Sequence, residues 1–136
     1  MNAYVSSLHP SIRFSRFVFR LAAFVGLVEI VPLYFSEGVI NRMQPPAITH
    51  PEFYYGFVGV ALAWQFAFLI IAQDPVRYRP IMLPSILEKL GFGGACVVLF
   101  ALQRLSPSML AGGIVDLIFA ALFAYAYVKT PLESTL

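Results

Sequence analysis

Apolar residues fall into four stretches separated by short polar connectors, and together they occupy almost the whole chain. The first runs from about Phe14 to Phe35 behind Arg13, Arg16 and Arg20. The second spans Phe53 to Ala72, and the fourth Met109 to Val128. The third is shortest: its uninterrupted run, Leu90 to Leu102, must be extended back through Lys89 and Glu88 or forward past Gln103 and Arg104. A helix rises 1.5 Å per residue, so ~20 residues cross the ~30 Å hydrocarbon core of a bilayer. The pattern therefore predicts helices at about 14–35, 53–72, 81–104 and 108–128 in a single integral membrane domain, residues 1–136. The fold class is all-α, a four-helix transmembrane bundle with antiparallel neighbours in up-down order.

Local signals refine the ends. Residues 1–13 read as a polar tail or interfacial turn. A basic region before an apolar one also describes a signal peptide. Glu29 and Pro32 interrupt the apolar part, however, and no small-x-small cleavage site follows at Ser36-Glu37-Gly38, so a retained helix is expected. Residues 36–52, with Gly38, Asn41, Pro45 and Pro46, read as a polar loop. Thr49 and Glu52 have capping-box spacing before the second helix, and Ser85 and Glu88 have it before the third. Ser106-Pro107 is an N-cap and N1 pair for the fourth.

Composition agrees with this picture. The chain is 60% hydrophobic and 12% charged, about half the ~25% charge of a soluble domain. A net charge of +2 without a polybasic run leaves no footprint for nucleic acid. Of the 9 Lys and Arg residues, seven (Arg13, Arg16, Arg20, Arg77, Arg79, Lys89 and Lys129) fall on the side of the termini and two (Arg42, Arg104) on the other. By the positive-inside rule both termini are cytoplasmic, in a cell membrane of the bacterial inner type. Tyr34, Tyr54 and Tyr55 would then lie at the outer interface, Tyr125 and Tyr127 at the inner one. Cys96, the single cysteine, excludes an internal disulfide and reads as a small packing residue.

The candidate chemistry is intramembrane. Glu29 lies ~9 Å, and Asp116 ~10 Å, below the same outer surface at 1.5 Å per residue. Glu29 shares its helix face with Ala22, Gly26 and Pro32, and Asp116 shares its own with Gly112, Gly113 and Ala120. Small residues allow close helix approach, so both acids should face the bundle. Carboxyl groups at membrane depth are functional candidates by default. Paired at one level, Glu29 and Asp116 suit proton coupling, or donation of a hydrogen bond to a ligand. The bland alternative is a hydrogen bond that only locks helices together.

Glu88 has two readings. If the third helix starts at Ser85, Glu88 and Ser85 form a cap near the cytoplasmic headgroups, and Lys89 snorkels to that interface. If it starts at Pro80, Glu88 joins Gln65 in an inner polar layer. Trp64, Phe119 and Phe123 could line an aromatic pocket, or simply pack. His50, Glu52 and Glu37 lack metal-ligand spacing, so no metal is expected. Phosphate loops, nucleophile triads and dinucleotide fingerprints are absent, and no cofactor is expected.

Two resemblances bear on this. The segments Leu27-Val28-Glu29-Ile30 and Ser36-Glu37-Gly38 are similar to the first helix and its exit in the small multidrug resistance transporters. The spacing between them is shorter here, Pro32 intervenes, and the Trp-and-Gly third helix of that family has no counterpart. The overall plan, Asp74-Pro75 before a basic connector and Leu87-Glu88-Lys89-Leu90 resemble small four-helix bacterial membrane proteins loosely called DoxX-like. That resemblance implies the fold and no particular activity.

The leading expectation is a small membrane protein that binds an apolar or lipid-like ligand, or moves a small solute, around Glu29 and Asp116, with Gln65 nearby. The rivals are a non-catalytic membrane subunit and an intramembrane enzyme acting on a lipid or quinone. Expected partners are the lipid bilayer and, through the small-residue stripe Gly59, Ala63 and Ala67, a second copy or a larger membrane complex.

Overall fold

The computed structural model of the chain describes residues 9–132. Its helices are α1 (Pro10–Ile30), α2 (Glu37–Met43), α3 (Pro51–Gln73), α4 (Met82–Ala101) and α5 (Pro107–Lys129), and no strand occurs among the described residues. A 3-10 turn, Val31–Phe35, continues α1, and another, Arg79–Ile81, leads into α4. With these turns, the segments Pro10–Phe35, Pro51–Gln73, Arg79–Ala101 and Pro107–Lys129 are long and apolar enough to cross a membrane. The protein is a small all-α, multi-pass membrane protein. Phe17, Phe24, Phe66, Val98 and Ile118 are exposed on its outside; in water they would form a large apolar patch, whereas lipid accommodates them.

Prolines set several boundaries. Pro10, Pro51 and Pro107 open α1, α3 and α5, where a missing N–H leaves no bond unmade. Pro32 works in the opposite sense. In a helix interior it removes a backbone bond and crowds the preceding turn, and the α-helix of the first span gives way to 3-10 geometry at Val31.

The expected Ser106 cap forms, with its hydroxyl accepting from the Met109 N–H at 3.4 Å. The other two caps do not. His50, not Thr49, precedes α3 and makes no capping bond; its ring nitrogen is instead 3.2 Å from the Glu52 carboxylate. Ser85 lies inside α4, where its hydroxyl donates to the Ile81 carbonyl at 2.8 Å. The Arg79–Ile81 turn starts this span earlier than a Ser85 cap would, so Glu88 sits ~14 Å into the span. At its other end α4 stops at Ala101, short of Arg104. Gln103 takes φ 57°, and the Arg104 N–H bonds the Leu99 carbonyl at 2.8 Å, a Schellman closure in which Gln occupies the usual glycine position.

α1 packs against α3 and α5, α5 also packs against α4, and α3 and α4 touch only slightly. The end of the bundle near the chain termini is dry. Phe19, Phe68, Ile71, Met82 and Phe123 are fully buried there, and the Phe19 and Phe123 rings stack at 4.1 Å. Phe119 and Phe123 thus belong to the core and not to a ligand pocket. Ser15 and Thr130 share a hydroxyl hydrogen bond of 2.8 Å, which joins the start of α1 to the residue that follows α5.

Arg79 closes this end. Its Nε–H donates to the carbonyls of Tyr127 at 3.1 Å and Thr130 at 3.0 Å, and its guanidinium lies 4.0 Å from the Tyr127 ring centroid. These carbonyls belong to the last turn of α5, which has no partners of its own. Arg79→Met should cost about 2 kcal/mol of stability, the worth of charged hydrogen bonds plus a cation–π contact. Arg79→Lys should recover only part of this in a denaturant titration of the purified protein, since an ammonium lacks the planar fork.

Candidate functional site

The other half of the bundle is hollow. A cavity of about 500 Å³ lies between the helices, walled by Leu33, Phe57, Phe92 and Met109. Phe57 of α3 and Phe92 of α4 stack at 5.7 Å, bridging the pair of helices that otherwise barely meet. The loop folds over this space. Within it, α2 replaces part of the irregular segment expected over 36–52, and Ile40, Gln44 and Ile48 line the cavity. Three bonds hold the loop in place: Tyr55 to the Glu37 carboxylate at 2.8 Å, Tyr54 to the Leu33 carbonyl at 2.7 Å, and the Ile48 N–H to Asn41 Oδ1 at 2.8 Å.

The polar residues gather in the same cavity. Glu29, Gln65, Glu88, Lys89 and Asp116 all line it. Lys89 is buried at 5% exposure and donates to Asp116 Oδ1 at 3.0 Å, with Glu88 Oε2 3.5 Å from its ammonium. It does not reach the headgroups. It is the eleventh residue of the Arg79–Ala101 span, ~15 Å from the start of that segment, too deep for its side chain to leave the bundle. Its ammonium is also 5.4 Å from the Phe68 ring centroid, so it marks the boundary between the aromatic core and the cavity. An ammonium and two carboxylates within one contact shell offset much of the cost of placing any of them in low dielectric.

Glu29 is different. It interacts electrostatically with Asp116 and Lys89, yet it makes no hydrogen bond or ion pair with the described residues and is the accessible acid of the group. Asp116 is thus primarily the partner of Lys89, which Glu88 also approaches, and Glu29 lines the same cavity apart from that ion pair.

Gln65 is held at one end of its amide and unpartnered at the other. Its Nε2 donates to the Ala61 carbonyl at 2.8 Å, whereas its Oε1, also buried, has no partner. A Cβ at Gly26 would overlap this side-chain amide, so glycine there allows Gln65 to sit between α1 and α3. Gly113 and Gly93 do the same between α5 and α4: an added Cβ on Gly93 would meet the Gly113 carbonyl oxygen at 2.7 Å. Gly112, one residue away, faces open space and lines the cavity. Ser85 is buried and lies outside the cavity lining.

Sequence reasoning placed Glu29, Gln65 and Asp116 at membrane depth, left Glu88 between a cap near the headgroups and an inner polar layer, and missed Lys89. Part of the signal was present: Leu90 to Leu102 is too short to span, and once the forward extension past Arg104 is ruled out by the end of the helix at Ala101, Lys89 must lie in the membrane, where a lysine needs a carboxylate. His50 and Glu52 contact each other at 3.2 Å on the surface, while Glu37 is engaged by Tyr55. Among the described residues no group of three His, Cys, Asp or Glu side chains converges as a metal site would require.

Searches against protein-family profiles, curated proteins and solved structures give no match to this chain.

Proposed function

We propose that the protein binds a small molecule with an apolar body and a polar head in its hollow half. The observation that carries this reading is the division of one bundle into a dry aromatic end and a cavity of about 500 Å³ with an apolar wall and a charged floor. Ligand sites combine these features: a mostly apolar concave surface and a few convergent polar groups that fix orientation. The body of the ligand would lie against Leu33, Phe57 and Phe92, and its head against Glu29 and Gln65. Passage of such a ligand between bilayer and cavity would make the protein a carrier of small solutes.

Orientation belongs to the same proposal. With Lys89 assigned to the membrane interior, six basic residues (Arg13, Arg16, Arg20, Arg77, Arg79 and Lys129) remain on the side of the termini against Arg42 and Arg104. This bias supports cytoplasmic termini, in a bacterial inner membrane, and a cavity that faces outward.

A second reading rests on the Lys89–Asp116 contact at 3.0 Å. It treats the cluster as an interhelical lock within a non-catalytic subunit.

Thermal unfolding in nanodiscs distinguishes the two. The added compounds are 4-phenylbutyl probes carrying an alcohol, ammonium or carboxylate head. On the binding reading at least one probe stabilises the protein, by about 2.7 kcal/mol at 100 times its dissociation constant. Gly112→Leu, which fills open space, abolishes the effect. Equal responses from the wild type and Gly112→Leu to every probe would leave the lock as the better account.

A further inference from the structure

The floor of the cavity is rich in hydrogen-bond acceptors and poor in donors. Gln65 is 1% exposed, and its Oε1 is buried without a partner. Glu88 Oε2 is likewise buried and accepts no hydrogen bond, although the Lys89 ammonium stands 3.5 Å away. Glu29 adds a third acceptor, accessible and unpaired. Lys89, the one cationic side chain in the lining, directs one N–H to Asp116 and stands 3.5 Å from Glu88, and one of the two Gln65 amide N–H groups is bonded to Ala61, so the carboxyl and amide oxygens outnumber the donors that face them.

Unsatisfied buried acceptors are costly, and a carboxylate in low dielectric needs an opposite charge. An occupant that completes this floor must therefore bring both N–H donors and positive charge. An anionic head would face three carboxyl groups, and a quaternary ammonium would supply charge but leave Gln65 Oε1 without a donor.

Resting on the ligand-binding reading above, we infer that the cavity selects a protonated amine on an apolar body. The ammonium donates to Glu29 and to Gln65 Oε1, and the body lies between Phe57 and Phe92. Recognition by several charge-assisted hydrogen bonds distinguishes N–H cations from permanently alkylated ones. The aromatic walls add cation–π attraction that both kinds would share.

Calorimetric titration of nanodisc-embedded protein, with empty nanodiscs subtracted, tests this on one scaffold with four heads: 4-phenylbutylammonium, 4-phenylbutyltrimethylammonium, 4-phenylbutanol and 4-phenylbutyrate. The primary ammonium should bind about tenfold or more tightly than each of the others, as one charge-assisted bond would dictate. Gln65→Met should weaken the primary ammonium and leave the trimethyl compound unchanged. Glu29→Gln should weaken both cations. Binding of the trimethyl compound, the alcohol or the carboxylate as tightly as the primary ammonium, if abolished by Gly112→Leu, would overturn the selectivity and keep the binding site. If no probe binds, or if binding is indifferent to Gly112→Leu, the selectivity and the binding reading fall together.

Discussion

Replacing Lys89 with Met is expected to lower the stability of the bundle by about 3–5 kcal/mol, the usual cost of stripping one partner from a buried ion pair. The side chains concerned are well enclosed, at 7% exposure for Lys89, 14% for Asp116 and 18% for Glu88. Without the ammonium, two carboxyl groups remain beside the aromatic core with no other cationic side chain in the cavity lining, and they must either take up protons or stay charged in low dielectric. The effect should therefore be relieved by removing charge on the other side. Lys89→Met combined with Asp116→Asn should recover a substantial part of the loss in a denaturant titration, because coupled residues are non-additive. If the double variant is as unstable as the sum of the singles, the interhelical pair is not what Lys89 contributes. Asp116→Asn alone should be milder, since Glu88 still accompanies the ammonium.

The second large effect is expected at Gly93. An added Cβ there would meet backbone, the Gly113 carbonyl oxygen at 2.7 Å, as well as Leu117 at 2.7 Å. A carbonyl cannot rotate aside, so Gly93→Ala must push α4 away from α5. This should cost about 1–3 kcal/mol, as overpacking does in a close-packed interior. Displacing α4 also lengthens the Lys89–Asp116 contact one turn away, so Gly93→Leu should cost still more. Gly112→Ala supplies the contrast. Its added Cβ meets nothing within 4 Å, and it should be neutral, or stabilising by about 0.5–1 kcal/mol through restricted backbone freedom. Thermal unfolding of the two alanine variants side by side checks both. Equal effects at Gly93 and Gly112 would contradict the close approach of α4 to α5.

The four spans were legible because a bilayer makes one demand on every residue of a segment, which hydropathy reports directly. The helical rise converts position into height, and Glu29 and Asp116, which it puts at similar heights, both line one cavity. What could not be read was the partner of each acid, which depends on how helices rotate against one another. Lys89 illustrates this: next to Glu88 in sequence, it resembled an interfacial lysine, and only the start of the span at Arg79 places it at mid-depth. Ser85 misled for a related reason. A serine four residues after Ile81 can bond a carbonyl within the helix as well as cap one. The fold of residues 36–52 over the cavity depends on tyrosine contacts from α3 that no local pattern encodes.

On the proposed reading the bundle is hollow on one side and its cavity admits polar molecules. Cysteine accessibility tests it directly. In a Cys96→Ala background, Gly112→Cys places a thiol in the cavity, whereas Ile118→Cys places one on the outer surface, where Ile118 is 56% exposed. Thiols must ionise to react, so a cysteine against lipid stays inert although nothing in the protein covers it. In intact cells or sealed vesicles, a membrane-impermeant cationic methanethiosulfonate should modify Gly112→Cys from the side opposite the termini and leave Ile118→Cys untouched. Protection of Gly112→Cys by 4-phenylbutylammonium would join access to binding. An unreactive Gly112→Cys, in a variant that folds and keeps its stability, would mean that the space is dry or sealed, and would contradict the account.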